Sequence, residues 1–369
     1  MATVLSIVSY PFLPAKVGGQ KGVALFNKYF SRYREMVCVT TKKNDPTAAE
    51  GYKVLNILSN SPLRYINPFY YFKMGSLIRK YKASHLIIEH PYYGWLGTLL
   101  AVTFPVKFVV HSHNIEGLRW KTLGKWWWPV LLFYEKWTHR MADYSFFIHN
   151  DDREYAIHEF GLDPARCLTV TYGIEWNSIP PESEILSARK AIRSQFLISE
   201  DEKILFFNGA FNYAPNIDAL KKIIEEINPL LMKKDFKYRI IICGRDIPVS
   251  LTRNKDNHII FAGFVDDIGL YFKGADVFIN PVTEGGGIKT KLVEALGYNL
   301  NAVSTVNGAL GIDPVLCNGK LLLCQDHDWQ AFANLVVKAA KVHSNISPGY
   351  YDHFYWGLSA KKAAAFIDP

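Results

Sequence analysis

Residues 277–299, VFINPVTEGGGIKTKLVEALGYN, read as strand, glycine loop and helix. VFIN is a short apolar run ending in turn chemistry, and IKTKLVEAL places Ile288, Leu292, Val293 and Leu296 at the spacing of a helix with one buried face. Gly285, Gly286 and Gly287 let backbone come close to a ligand, and the first N–H groups of the helix lie unpaired at its positive end. Lys289 and Lys291 add whole charges, so the stretch suits an anion. It is not a Walker loop, since no Gly-Lys-Ser/Thr closes it, and it contains no G-x-G-x-x-G. A tight turn into a core-packing helix has the same local pattern, so the surroundings must decide.

The chain has 369 residues, 49% hydrophobic and 21% charged, enough for two domains with full cores. No apolar run reaches the length of a membrane span, and MATVLSIVSYPFL has neither a basic leader nor a cleavage site, which predicts a cytoplasmic protein. The five cysteines, at 38, 167, 243, 317 and 324, form no C-x-x-C pair and read as buried thiols. Charge is unevenly placed. Residues 1–175 hold 21 Lys and Arg against 13 Asp and Glu, whereas residues 176–369 hold 21 of each. The first half therefore faces something anionic.

Both halves alternate strand and helix. Strands are predicted at 4–10, 36–41, 85–90, 107–112 and 144–149, and again at 203–209, 239–244, 258–263, 276–280 and 301–305, with a helix over 216–231. Repeated βα order predicts an α/β protein with two doubly wound parallel sheets, whose ligands bind at the carboxyl ends of strands. The glycine loop after 276–280 is in such a place. Residues 172–200, with two prolines and a polar helix, read as the linker.

FAGFVDDIGLYFKGADVFINPVTEGGGIKTKLVEALGYNLNAVSTVNGALGI (261–312) resembles the donor-binding signature of family 4 glycosyltransferases of the GT-B fold. PFLPAKVGG resembles the family's N-terminal glycine loop, FNGAFNYAPNIDAL its first C-domain strand and helix, and TYGIEWNSI its linker. The resemblance covers essentially the whole chain. It implies two Rossmann-like domains facing a central cleft: residues 1–175 on the acceptor side, and 176–349 binding the donor. It also implies a C-terminal helix, 350–369, returning to the first domain. The activity implied is transfer of a sugar from a nucleotide-diphosphate sugar to a saccharide or lipid-linked acceptor, with retention of configuration. Gly286 and Gly287 would meet the donor's phosphate or sugar, and Glu294 the ribose hydroxyls, which a carboxylate binds in pairs. Gly285, Ile288 and Gly209 would complete the donor side.

This chain departs from the family twice. Gly286 stands where the first of two paired glutamates is usual, with Glu284 two residues upstream. The loop Asn208–Tyr213 also lacks the Arg and Lys that neutralise the leaving diphosphate. Lys289, Lys291 and Arg245 are the candidate replacements.

VVHSHNIEG (109–117) ends a strand with His111 and His113 on one side, where the family places a histidine against donor sugar or acceptor. Backbone-bonded strand-end histidines are the structural alternative. Two histidines fall short of a zinc set, and no Asp-x-Asp motif is present, so metal-independent transfer with no cofactor is predicted. Gly18 and Gly19 would admit diphosphate or acceptor, or else form a flexible turn. RYINPFYYFKMGSLIRKYK (64–82) and RWKTLGKWWWPVLLFYEKW (119–137) interleave basic and aromatic residues, which suits peripheral docking on anionic membrane. The three consecutive tryptophans, 126–128, cannot all share one helical face, so part of that stretch is core. Nucleic acid is not an expected partner, because no recognition motif accompanies the basic half. Two other functions stay open: an epimerase-like GT-B enzyme, and a catalytically silent sugar-nucleotide binding protein.

Overall fold

The computed structural model describes residues 2–15, 18–253 and 256–367. The chain divides into two compact units, residues 1–175 with 355–369, and residues 176–354. The first unit carries β1 (Thr3–Ile7), β2 (Glu35–Thr41), β3 (Lys53–Leu58), β4 (Ala83–Glu89), β5 (Lys107–Ser112), β6 (Tyr144–Phe147) and β7 (Cys167–Thr169). They form one parallel sheet in the order β3-β2-β1-β4-β5-β6-β7. The second unit carries β8 (Lys203–Ala210), β9 (Tyr238–Arg245), β10 (Ile259–Gly263), β11 (Val277–Asn280), β12 (Asn301–Thr305) and β13 (Leu321–Cys324). These form a parallel sheet in the order β10-β9-β8-β11-β12-β13.

Central strands are buried on both faces and therefore read as unbroken apolar runs. In VLSI, LIIE, ILFF and VFIN every residue except Ser6, Glu89 and Asn280 is apolar, and all are buried. Each sheet makes a core with its helices, around Leu86, Ile88 and Phe108 in the first unit and Leu205, Ile240 and Ile279 in the second. Every such side chain removed from water contributes about 1.5–3 kcal/mol.

Strand order reverses between β1 and β4 in one sheet and between β8 and β11 in the other. At such a reversal the flanking connections leave in opposite directions and open a crevice at the strands' carboxyl ends. Both candidate sites lie there.

Three strands were not predicted. β3, β7 and β13 are all sheet edges, where half-exposed short strands carry little apolar signal. The helix predicted over 216–231 runs from Ala214 to Met232 with a widened turn at Ile223–Ile227 that buries both of those isoleucines. The single C-terminal helix predicted over 350–369 is instead two helices, Pro348–Phe354 and Trp356–Phe366, parted by an extended Tyr355. The break has a packing cause. Tyr350 and Tyr351 donate to the carbonyls of Val293 and Gly297 in the second unit, at 2.8 Å each. After Tyr355, which bridges Ile174, the chain packs in the first unit against helix Gly18–Phe30. Among the described residues no helix is long and apolar enough to cross a membrane.

Candidate functional site

In the second unit the loop 281–289 leaves β11 and enters helix Thr290–Gly297. Gly285 and Gly287 hold left-handed backbone, with φ of +87° and +74°. A side chain on Gly285 would also meet the Tyr213 hydroxyl at 2.7 Å, so this position demands glycine twice over. Gly286 differs, since a Cβ there meets nothing within 4 Å. Ile288 precedes the helix and is half-buried, rather than beginning its buried face.

The two lysines are turned inward. Lys289 Nζ donates to the carbonyls of Gly285 at 2.6 Å and Gly287 at 2.9 Å, tying the loop to its own exit. Lys291 Nζ donates to the Asn208 carbonyl at 3.2 Å and Asn216 Oδ1 at 2.9 Å, and lies 4.0 Å from the centre of the Phe207 ring. Residues 208–210, read from the sequence as loop, are the end of β8, and Lys291 places a cation there, on a segment that carries none of its own. Burial pushes Lys291 down to about 7, helped by the neighbouring charge of Lys289, and pushes Lys289 down to about 8. Both ammonium groups are held short of full solvation, a condition that an anion relieves.

Two acceptors at the same strand ends remain open. Asn208 Oδ1, on β8, and Asn280 Oδ1, on β11, are buried without a partner among the described residues. The Asn280 amide nitrogen is held by Ser304 Oγ and the Gly308 carbonyl. Buried polar atoms are almost always satisfied, so unpaired ones at a sheet reversal mark a place for water or ligand. Gly209 lies beside Asn216, whose side chain a Cβ would meet at 2.9 Å. Glu294 is half-buried on the same helix as Lys291. Glu284 is exposed, and so is Arg245, whose guanidinium lies over Phe264 at 4.1 Å.

In the first unit the reversal gathers a second cluster. β4 and β5 pair Glu89 with His111, and His113 follows two residues on. The Glu89 carboxylate, with its side chain fully buried, accepts from His113 Nε2 at 2.7 Å and from His111 Nδ1 at 3.1 Å. Burial pushes this carboxyl up, but the two imidazoles outweigh it and hold Glu89 well below the usual carboxylate range. His90 takes a left-handed φ of +66°, uncommon for a residue with a side chain, and its N–H donates to the His111 carbonyl at 2.9 Å. Its ring lies 4.5 Å from that of His113. Glu116 accepts from Tyr92 at 2.5 Å and from Arg119 at 3.0 Å. Glu135 accepts the N–H groups of Glu116 and Gly117, fixing the loop that follows β5.

Sequence reasoning found His111 and His113 but not Glu89, His90, Glu116 or Glu135. The IEHP segment ends a predicted strand, and that position was the available signal. Gly18 and Gly19 form the first turn of helix Gly18–Phe30 rather than a loop, and a Cβ on Gly19 meets nothing within 4 Å among the described residues. The segment just before them, Lys16 and Val17, is outside the described residues.

Family models match each unit in turn. Residues 29–175 match Glycosyltransferase Family 4, and residues 202–341 match Glycosyl transferases group 1. No curated protein sequence matches. Among solved structures the chain is similar to Anabaena HepE in complex with UDP, at 15% identity and a TM-score of 0.73, covering 100% of this chain and 99% of that one. It is similar to sucrose-phosphate synthase from Thermosynechococcus elongatus at 15% identity and a TM-score of 0.71, covering 100% and 98%. It is also similar to the lipopolysaccharide outer core galactosyltransferase WaaB, at 14% and 0.65, covering 100% and 99%. Such identities speak for the fold alone, and the fold is GT-B. With both units matching glycosyltransferase models, the findings support a GT-B glycosyltransferase of the group 1 and family 4 kind.

Proposed function

We propose that this chain is a retaining glycosyltransferase that moves a sugar from a nucleotide-diphosphate sugar to a lipid-linked or cell-envelope saccharide. The carrying observation is Lys291, a half-buried cation bonded to the Asn208 carbonyl at the β8/β11 reversal. A leaving diphosphate needs positive charge where its own charge grows. Lys291 supplies it without a metal on the diphosphate, and helix Thr290–Gly297 adds its N-terminal dipole. Glu294 holds the ribose hydroxyls, while Gly286 leaves open space for the donor sugar. Retention follows if the acceptor attacks from the face the diphosphate leaves, with the departing phosphate taking the acceptor's proton. HepE, of the same fold, has been solved with UDP-glucose, which supports a nucleotide-sugar donor here.

The first unit's surface supports a membrane-bound acceptor. Leu63 and Ile66 are exposed on the short helix Pro62–Ile66, Phe69 and Phe72 at the start of helix Phe69–Tyr81, Val130 and Phe133 on helix Trp128–Met141, and Trp126 on the turn before it. Helix Phe69–Tyr81 packs beside Gly94–Thr103, which packs beside Trp128–Met141. Lys73, Lys121 and Lys125 are exposed among them. Of the three consecutive tryptophans Trp126 is 86% exposed, while Trp127 and Trp128 are half-buried, so the stretch serves both surface and core. Exposed aromatics among lysines suit peripheral binding to the anionic cytoplasmic leaflet.

Incubation with UDP-, GDP-, ADP- and dTDP-sugars, following released nucleotide, tests the activity. Release with one base, raised by membrane lipid extract, is expected; release from none contradicts it.

A further inference from the structure

We propose that Glu89, His111 and His113 bind a first-row divalent cation of the zinc class. This inference concerns the first unit alone and does not rest on the donor reading of the second.

Three ligand-type atoms, one from each side chain, lie within 4.8 Å of one another. The Glu89 carboxylate is 2.7 Å from His113 Nε2 and 3.1 Å from His111 Nδ1. Two atoms bound to zinc at about 2.0–2.1 Å in tetrahedral geometry lie roughly 3.3 Å apart. Small side-chain shifts therefore admit an ion among groups that now touch each other.

Charge favours the ion. Glu89 is 1% exposed, and among the described residues its partners are the two imidazoles, with no lysine or arginine on it. A buried carboxylate needs a cation beside it. A divalent ion supplies that charge directly, and imidazole is the commonest protein ligand for one. The counting that ruled out zinc on two histidines lacked Glu89, which the pairing of β4 with β5 brings to them.

The frame is rigid. Glu89 and His111 are a paired register position of two central strands, and the His90 N–H bonds to the His111 carbonyl. Among the described residues His111 Nε2 is buried without a partner, in a ring that lies 4.7 Å from that of Phe26. The polar reach of His111 is thus through Nδ1, the atom already turned to Glu89.

Two imidazoles and one carboxylate select ions that accept nitrogen, such as Zn²⁺, Co²⁺ and Fe²⁺, over Mg²⁺ and Ca²⁺, which prefer oxygen. Three protein ligands leave a coordination position for water or a hydroxyl oxygen.

The test uses the full chain, stripped with a chelator, equilibrated with ZnCl₂, desalted and analysed for metal by mass spectrometry. About one zinc per chain is expected, as a three-ligand site holds a single ion. MgCl₂ in place of ZnCl₂ is expected to leave none bound. Glu89→Gln and His113→Asn should each abolish retention, while His158→Asn, on an exposed helical position, should leave it intact. Circular dichroism confirms that each variant is folded, and His113→Asn decides if Glu89→Gln is not. No retained zinc in the wild type, or equal retention in folded His113→Asn, overturns the proposal. The second result would place the ion elsewhere, for example at a cysteine.

Discussion

The ammonium of Lys291 lies 3.2 Å from the carbonyl oxygen of Asn208, joining the helix after the glycine loop to the end of a strand 83 residues earlier. This one contact sets a cation at the point where the second sheet reverses. Replacing Lys291 by Met keeps an aliphatic chain over Phe207 and removes the charge. A charged hydrogen bond is worth about 1.5–3 kcal/mol, so the affinity for the cognate nucleoside diphosphate should fall about ten- to a hundredfold. Calorimetric titration checks this. The unfolding midpoint of the unliganded protein should not fall, because a partly desolvated cation has been removed.

The same lysines predict a pH dependence of binding. Burial holds Lys291 near about 7 and Lys289 near about 8, both below the ordinary 10.5. Between those values and 10.5 the unfolded chain binds more protons than the folded one. Their contribution to the stability of the unliganded protein should therefore rise with pH across this window and level off below it. An anionic diphosphate favours the charged forms, so binding should take up protons and weaken as pH rises from 7 to 9. Titrations in buffers of different ionisation enthalpy measure the uptake. Binding that neither takes up protons nor weakens over that range would remove the lysines from the diphosphate.

The glycine loop separates into positions that need glycine and one that does not. Gly285→Ala meets both a left-handed φ and the Tyr213 hydroxyl, and should lose about 1 kcal/mol or more of stability. Gly286→Ala enters open space and should stay within about 0.5 kcal/mol of wild type. Urea unfolding of the two variants gives the comparison.

Membrane docking predicts a variant that is folded yet does not float. Replacing Phe69 and Trp126, which are 70% and 86% exposed, by Ser should leave the unfolding midpoint unchanged. It should reduce co-flotation with vesicles containing anionic lipid. Equal flotation of variant and wild type would locate docking elsewhere, and indifference of the wild type to anionic lipid would end the idea.

Retention of configuration has its own readout. With donor and acceptor in hand, proton NMR of the new glycosidic bond should show the anomeric configuration of the donor sugar. Inversion would require a side-chain base and a different chemical course.

What the sequence makes legible depends on how local the signal is. The βα alternation and the loop 281–289 were readable because buried parallel strands are apolar runs and glycines punctuate them. Edge strands β3, β7 and β13 were not, since half-exposed residues dilute the pattern. Lys291 could be named as a candidate but not joined to Asn208, because that contact depends on β11 lying beside β8. Glu89 was overlooked for the same reason. It is 22 residues from His111 in sequence, and only the register of β4 against β5 makes them neighbours. Lys289 shows a further limit, since its spacing suits a ligand contact while its ammonium binds the loop's own carbonyls.

The most direct test of the central claim is thermal unfolding of the protein with UDP, GDP, ADP and dTDP in turn, repeated with Glu294→Ala. A ligand that binds only the native state at a hundred times its Kd adds about 2.7 kcal/mol of stability. The account predicts that one nucleotide at millimolar concentration raises the midpoint and that Glu294→Ala abolishes the rise. If no nucleotide moves the midpoint of the wild type, the second unit holds no donor and the transferase reading fails.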